Sequence, residues 1–562
     1  MFQPATDPVA GSLALSALVA ALPLLTLFVL LGGLRWKAWQ AGLAALVVAL
    51  LVAVFAFGMP AGQALLAAGE GAAFGLFPII WIVLTAIWIF RLTELTGYDL
   101  VLRRAFGSVS PDHRVQAILI AFCFGALLEA LAGFGTPVAV TAVMLIAVGL
   151  RPLKAAAVAL VANTAPVAFG AIAVPITTLA KITGLDPDTL GAMVGRQTPI
   201  LAAIVPLVLV LMVDGRRGLR QAWLPALVGG LGFAIAQYVT ANFVSYQITD
   251  IVAAFAGALA LVLLLRVWQP AEVLAEASPE DDDGLEGTAG SGRTGSSGTD
   301  TLTETDVQSI TKSVTPREAL LAFAPYLIVV VLFTAVSFGP LKEFLGNHSG
   351  WKFEWPGLEV AGADGEPLAA TTFNFNLFSA AGTTLFVAGI ITALIYKVSL
   401  GKALKALGEV VVQFRFTILT VVAVLALAYV MNFSGQTVTL GLALASTGAF
   451  FAFLSPVVGW IGVAVTGSDT SSNSLFGLLQ VTAAEETGLS QYLLAAANTS
   501  GGVLGKMISP QNLAIAAAVV GMEGRESVLF RRVVGWSLVL LLGMCVLVFL
   551  QSTPVLGWMV VG

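Results

Sequence analysis

Long apolar stretches alternate with short polar breaks along most of the chain. Runs of spanning length fall at about 11–33, 39–58, 73–95, 115–131, 197–213, 221–243 and 249–268, and resume at about 318–339, 377–396, 415–434, 437–454 and 530–551. Between them lie shorter apolar pieces at 136–150, 153–168, 170–182, 456–466, 475–487, 490–502 and 504–519, broken by Gly, Pro, Asn, Ser and Thr. Most of these are shorter than the roughly 20 residues a helix needs to cross a bilayer. The pattern predicts helices throughout, some continuous and some interrupted within the membrane.

Two stretches depart from it. Residues 269–317, rich in Asp, Glu, Gly, Ser and Thr, predict a disordered linker. Residues 340–376 predict a second, external loop. The chain therefore divides into an N-terminal membrane unit at 1–268, the linker, and a C-terminal membrane unit at 318–562.

Composition agrees. Of 562 residues, 58% are hydrophobic and 10% charged, against about 25% charged in soluble domains. One core cannot absorb that apolar surface, so the excess faces lipid. The runs are too long and continuous for the alternating strands of a barrel. The net charge of −5 says little, because many acids sit in the linker. Cys123 and Cys545 both lie in apolar runs, which predicts buried thiols and no disulfide framework. Nothing before Arg35 is basic, so the start does not read as a standard signal peptide. The positive-inside rule puts the N-terminus outside, and Arg35, Lys37 and, through Arg266, the linker in the cytoplasm.

The short pieces repeat. Asn163 in "VALVANTAPVAFGAIAVP" and Asn498 in "LLAAANTSGGVLGKMISP" are each followed by Thr, by Gly after seven residues (Gly170, Gly505) and by Pro after twelve (Pro175, Pro510). Thirty residues before Asn163, Gly133 opens "GFGTP"; 31 before Asn498, Gly467 opens "GSDTS". The helix at 197–213 ends on Arg216 and Arg217, whereas its counterpart at 530–551 begins on Arg531 and Arg532. The two halves therefore read as an inverted-topology repeat, an organisation common in secondary transporters.

Non-helical backbone at membrane depth is tolerated only inside protein or against a wet cavity. "AGFGTP" and "TGSDTSSN" thus predict hairpin tips or unwound segments. Thr136–Pro137 suits a helix start, and Ser468, Asp469, Thr470 and Ser471 offer caps. Helix N-termini with free N–H groups favour anions, so the two breaks facing each other would cradle a small anion. Ionisable residues at this depth cost roughly 2.5–3.5 kcal/mol each on insertion scales and mark function by default. Glu129, Asp469 and Lys506 stand out. Lys506 either attracts a substrate carboxylate or pairs with Asp469 to hold the fold. Glu129 either carries a proton or makes a structural hydrogen bond. His113 and His348 fall in expected loops, which leaves any proton coupling to Glu129 or Asp469. Arg91, Glu94, Arg103, Arg104, Arg114, Arg151 and Lys154 sit at run ends, where snorkelling and topology account for them. Lys181, Arg196 and Arg415 are ambiguous, and Tyr429 and Asn432 are candidates to reach the cavity. No metal-ligand cluster, Walker motif or nucleophile elbow is present in the sequence.

The runs "FCFGALLEALAGFGTPVAVTA" (122–142), "ANTAPVAFGA" (162–171), "MVGRQ" (193–197), "FAIAQY" (233–238), "SPVVGWIGVAVTGSDTSSNSLF" (455–476) and "AANTSGGVLGKMISPQNLAIA" (496–516) resemble the L-lactate permease family, bacterial proton-coupled carriers of lactate and related 2-hydroxymonocarboxylates such as glycolate. The resemblance covers nearly the whole chain outside the linker and the 340–376 loop. It implies paired hairpins and inverted repeats similar to elevator-type anion transporters, with Asn-Thr pairs near the tips contacting substrate carboxylate. Asn163, Thr164, Asn498 and Thr499 thereby become substrate-binding or site-shaping candidates. Leu131 and Thr136 stand where the resemblance leads one to expect small residues.

The expectation is an all-α polytopic membrane protein of roughly 12–16 segments, an inverted-repeat, elevator-like secondary transporter with discontinuous helices. Its substrate site would use Gly133, Gly135, Thr136, Asn163, Thr164, Ser468, Asp469, Thr470, Ser471, Asn498, Thr499 and Lys506, with Glu129 and Asp469 for protons. Uptake of L-lactate, D-lactate or glycolate across the bacterial inner membrane would be driven by the proton gradient, with no cofactor, no nucleic acid partner and no enzymatic step. The alternative is a passive anion channel. Oligomeric state is left open.

Overall fold

The computed structural model describes all residues except 35, 108, 134, 271, 273, 275–313, 338–343, 345–349, 362–370, 379 and 524. Most of the expected linker, parts of the 340–376 loop, Arg35, Phe134 and His348 therefore lie outside the described residues. Cys123 and Cys545 are buried free thiols, as their apolar surroundings predict.

Among the described residues, ten helical runs are long and apolar enough to cross a membrane. The count is eleven if the bent pair Pro152–Ala162 and Val167–Thr183, which meet at 61°, is taken as one span. This is fewer than the expected segments, partly because Pro187–Phe243 forms one 57-residue run. It bends at Asp214 and Gly215, where φ/ψ leave the helical region, and so carries two of the expected spans. The outer helices turn Leu18, Leu51, Phe55, Ile235, Val239, Val539 and Leu542 outward. Such faces are stable only against lipid.

Several boundaries differ from the sequence reading. The run at 437–454 is not one helix. Gln436–Ala445 ends at Ser446, a turn through Gly448 (φ 62°) follows, and Phe451–Thr466 begins a new helix. The run at 73–95 is preceded by the helix Ala61–Phe74 and interrupted at Phe77, whose backbone is extended just before Pro78, as expected of a residue preceding proline. Leu400–Gln413 is a further helix that the spanning pattern did not register. Its Ala403, Ala406 and Val410 are buried, and it is too short and polar to cross. The chain is also not purely helical. Trp351–Glu354 and Thr372–Phe375 pair antiparallel, within the stretch read as an external loop, where aromatic and β-branched residues favour extended backbone.

The first hairpin occupies the centre. His113–Leu131 is wholly buried in protein over its spanning window, and Thr136–Ala147 returns against it. The second hairpin joins Phe451–Thr466 to Asp469–Thr487. Phe451–Thr466 packs closely along Gln491–Gly505. Side chains are missing where the backbones meet: a Cβ on Gly459 would strike the Asn498 carbonyl, one on Gly501 the Pro456 carbonyl, and one on Gly505 the Trp460 carbonyl. Small residues four apart allow this approach between membrane helices.

Arg114 is not a snorkelling residue. It is fully buried and chelates Asp112 through Nε (3.0 Å) and Nη2 (2.7 Å). Its Nη1 donates to Asp214 (3.1 Å) and Gln221 (2.7 Å), and Nη2 to the Glu272 carbonyl (2.6 Å). Burial opposes the charge on Asp112, but the guanidinium more than offsets this and holds its carboxyl below the usual range. The cluster ties the start of the first hairpin to the bend at Asp214.

Candidate functional site

Both tips form as the local chemistry predicts. In the first, the helix ends at Ala132, Gly135 adopts φ 91°, and Thr136–Ala147 starts with Pro137 in its first turn. In the second, Gly467 is left-handed (φ 75°) and Ser468 Oγ accepts from the Ser471 N–H at 3.2 Å, opening the helix at Asp469.

The tips converge on a third helix start, that of Pro510–Val519. A Cβ on Gly135 would collide with Ile515 and lie 3.6 Å from Asn512 Oδ1; one on Gly467 would lie 2.7 Å from Gln511 Oε1. Ser509 caps the third start by accepting from the Asn512 N–H. Three helix N-termini (at Thr136, Asp469 and Pro510) are thus gathered in one place. The positive ends of their dipoles favour an anion there.

Lys506 stands at the edge of this group. Its Nζ is 2.6 Å from Glu129 Oε1, and both residues are buried. The alternative of a structural pairing of Lys506 with Asp469 is not what forms; Lys506 pairs with Glu129 of the other half of the chain. The reason is position: Glu129 projects from the helix before the first tip, and its carboxylate is enclosed by Gly133 and Gly170, where added Cβ atoms would sit 3.1 and 2.8 Å from Oε1. Asp469 packs instead against Gly502, whose Cβ would meet Oδ1 at 2.5 Å. Neither Asp469 oxygen has a hydrogen-bond partner, and neither does Glu129 Oε2.

The two Asn-Thr pairs are unequal. Asn498 donates from Nδ2 to Asn473 Oδ1 (2.8 Å) and accepts from Gln480 Nε2 (3.1 Å). Asn473 Nδ2 in turn donates to Thr499 Oγ1 (2.5 Å) and to the Pro175 carbonyl (3.1 Å). This network links the second hairpin to Gln491–Gly505 and to the first half. By contrast, Asn163 is 4% exposed and has no partner on either amide atom, while Thr164 Oγ donates to its own helix at Val161. Thr136, Ser468 and Thr470 are half-buried and Ser471 is buried.

Residues absent from the sequence reading also belong here. Gln237 Nε2 lies 3.4 Å from both the Ala165 carbonyl and Asp250 Oδ1. Asp250 is 1% exposed, its Oδ2 has no partner, and Glu129 and Lys506 lie within electrostatic reach. An acid in a helix's first turn reads as a dipole contact, which hid Asp250. Asn473 and Gln480, seven apart on one helix, carried a usable signal. Elsewhere, Asn432 accepts from Thr437, and Tyr429 meets Phe74 at a tilt and Phe433 edge to face. Among the described residues, no three His, Cys, Asp or Glu side chains form a metal-binding group.

Comparison with known proteins gives this geometry a context. The family model for L-lactate permease matches residues 16–555. A glycolate permease of Escherichia coli K12, GlcA, is 42% identical over 98% of both chains. An L-lactate permease of Bacillus subtilis 168 is 39% identical over 99% of both, and one of Escherichia coli K12 is 39% identical over the full length of both. The crystal structure of the Alcanivorax borkumensis YdaH transporter aligns over 86% of each chain at 16% identity, with a TM-score of 0.42, too loose a likeness to carry an argument. With a multi-pass helical fold, a polar centre where helix starts converge, and a match over almost its entire length, the chain belongs to the L-lactate permease family, a family of permeases and not of enzymes.

Proposed function

We propose that the protein takes up L-lactate and related small 2-hydroxymonocarboxylates (glycolate, D-lactate) together with a proton across the bacterial inner membrane. In this reading the N-terminus and the 340–376 loop lie outside and the 269–317 linker in the cytoplasm. The units 1–268 and 318–562 act as inverted repeats that alternate access in an elevator-like manner. The relatives named for lactate and for glycolate support the substrate class, since the two acids share a carboxylate and a 2-hydroxyl.

One observation carries the coupling: the ammonium of Lys506 is occupied by Glu129 at 2.6 Å. A substrate carboxylate must compete with Glu129 for that cation. Protonating Glu129 removes the competitor and spares a buried charge from losing its partner, which otherwise costs several kcal/mol. Proton and anion therefore bind best together. Gly133, Gly135, Thr136, Ser468, Asp469, Thr470 and Ser471 frame the anion at the tips, and Asn163 offers a free donor and acceptor to a 2-hydroxyl. Asn498, Thr499 and Thr164 shape the site through the bonds they already make. Asp469 is the second proton candidate.

The test is uptake of labelled lactate by proteoliposomes under an imposed pH gradient. Accumulation beyond equilibrium is expected. Equilibration that ignores the proton gradient refutes the reading and leaves a passive anion pathway.

A further inference from the structure

Glu129 is poorly placed to exchange its proton with water directly. It is 4% exposed, closed in by Gly133 and Gly170, and held by Lys506. Proton coupling, on which this inference rests, needs another group to bring the proton to it.

Asp250 is that kind of group. It lies in the first turn of Thr249–Val267, directly after the polar turn through Ser245, Gln247 and Thr249 that ends Thr198–Phe243. Its helix packs against the helix that carries Glu129. The carboxyl is almost fully buried, with one long contact from Gln237 on Oδ1 and no partner on Oδ2. A carboxylate in that setting lacks the hydrogen bonds a buried charge requires, whereas a carboxylic acid does not carry the charge.

Among the described residues, the groups that act on Asp250 are Glu129, Lys506 and the Gln237 amide. The elements packed on its helix also carry Cys123, which lies against Gly257, Tyr246, and Tyr326, whose ring meets Phe255. Thiols and phenols ordinarily stay neutral near pH 7. Among the described residues, Glu129 is bonded to the Lys506 ammonium, and Asp250 and Asp469 lie within its electrostatic reach without a bond to it.

We propose that Asp250, positioned by Gln237, is a proton way station between the Val244–Ile248 turn and Glu129. When substrate draws Lys506 away, the Asp250 carboxyl gives its proton to the Glu129 carboxylate. Asp250 then regains a proton from water at the turn, on the external side in the orientation proposed above. One proton is taken from that side for each anion bound.

Relay and scaffold roles separate in proteoliposomes. Exchange of lactate for lactate cycles the loaded carrier and needs no proton release, whereas net uptake does. D250N is expected to lower pH-driven net uptake about tenfold or more while keeping lactate exchange near wild type, and D250E is expected to restore part of the net uptake. Q237L, which leaves Asp250 in place and removes the amide that contacts it and the Ala165 carbonyl, is expected to slow net uptake less than it is slowed in D250N and to affect exchange less than net uptake; it serves if D250N does not insert. Wild-type net uptake in D250N overturns the assignment. Parallel loss of exchange and net uptake in both variants also overturns it, in favour of a structural role. Wild-type protein that fails to accumulate lactate on a pH gradient overturns the proton-coupled reading itself.

Discussion

The two interrupted helices occupy matching places in the sequence but resolve the interruption differently. In the first, the chain leaves the helix at Asn163, passes through a short turn at Val167–Phe169, and enters the next helix through Ala171, Ile172 and Ala173 at φ 45°, 57° and 56°. In the second, the break is confined to 506–509, with Ser509 Oγ and Asn512 Nδ2 both donating to the Lys506 carbonyl at 3.0 Å. The first break is strained and carries an unpartnered amide; the second is closed and bonded, and it carries the cation. Left-handed backbone costs about 1–2 kcal/mol per L-residue. Under the proposed function, the strained backbone and unmet amide at the first break suit contact with the 2-hydroxyl at Asn163, and the bonded second break suits the holding of Lys506.

The largest effect expected is from Lys506→Ala. It strips Glu129 of its partner, at about 3–5 kcal/mol for a broken buried pair, and should abolish gradient-driven uptake and lower the melting temperature. Normal uptake would end the assignment of charge to the second break. Glu129→Gln should release Lys506 while keeping the volume. Lactate should then bind at least as tightly as in wild type, with a dissociation constant that no longer varies with pH, measured by titration calorimetry. A retained pH dependence would move the proton to Asp469, for which Asp469→Asn is the companion variant. The Asn pair sharpens the contrast further. Asn498→Ala should cost about 1–3 kcal/mol by leaving Asn473 and Gln480 atoms unpaired, read as a lower melting temperature. Asn163→Ala should instead raise the lactate KM with little change in melting. If the two exchange behaviours, the breaks have been assigned the wrong way round. The smallest effect is from Ala171→Gly, which should stabilise by about 1 kcal/mol where φ is positive, visible as a modest rise in melting temperature.

The tips were legible in sequence because their rules are local. Gly at a left-handed position, Pro in a first turn and Ser ahead of a helix each act within a few residues, and "GFGTP" and "GSDTS" display all three. The meeting of Glu129 with Lys506 was not, because 377 residues separate them and their pairing depends on how the halves dock. Arg114 misled for a related reason: position at the end of an apolar run describes depth, not the partners that Asp214 and Glu272 bring from afar. The small sheet of Trp351–Glu354 and Thr372–Phe375 stayed hidden because four-residue strands give too little periodicity to register. Asn163 and Asn498 share a motif, yet only one has its amide satisfied, and that depends on Asn473 and Gln480 arriving from another helix.

The glycine seam between Phe451–Thr466 and Gln491–Gly505 has a practical consequence for watching the protein move. With backbone set against backbone at Gly459, Gly501 and Gly505, no side chain stands at those crossings to absorb a change of spacing. A pair of spectroscopic labels, one at the outer end of each helix, should therefore report one constant separation through the whole cycle. That separation is an internal ruler against which displacement of any other part can be measured.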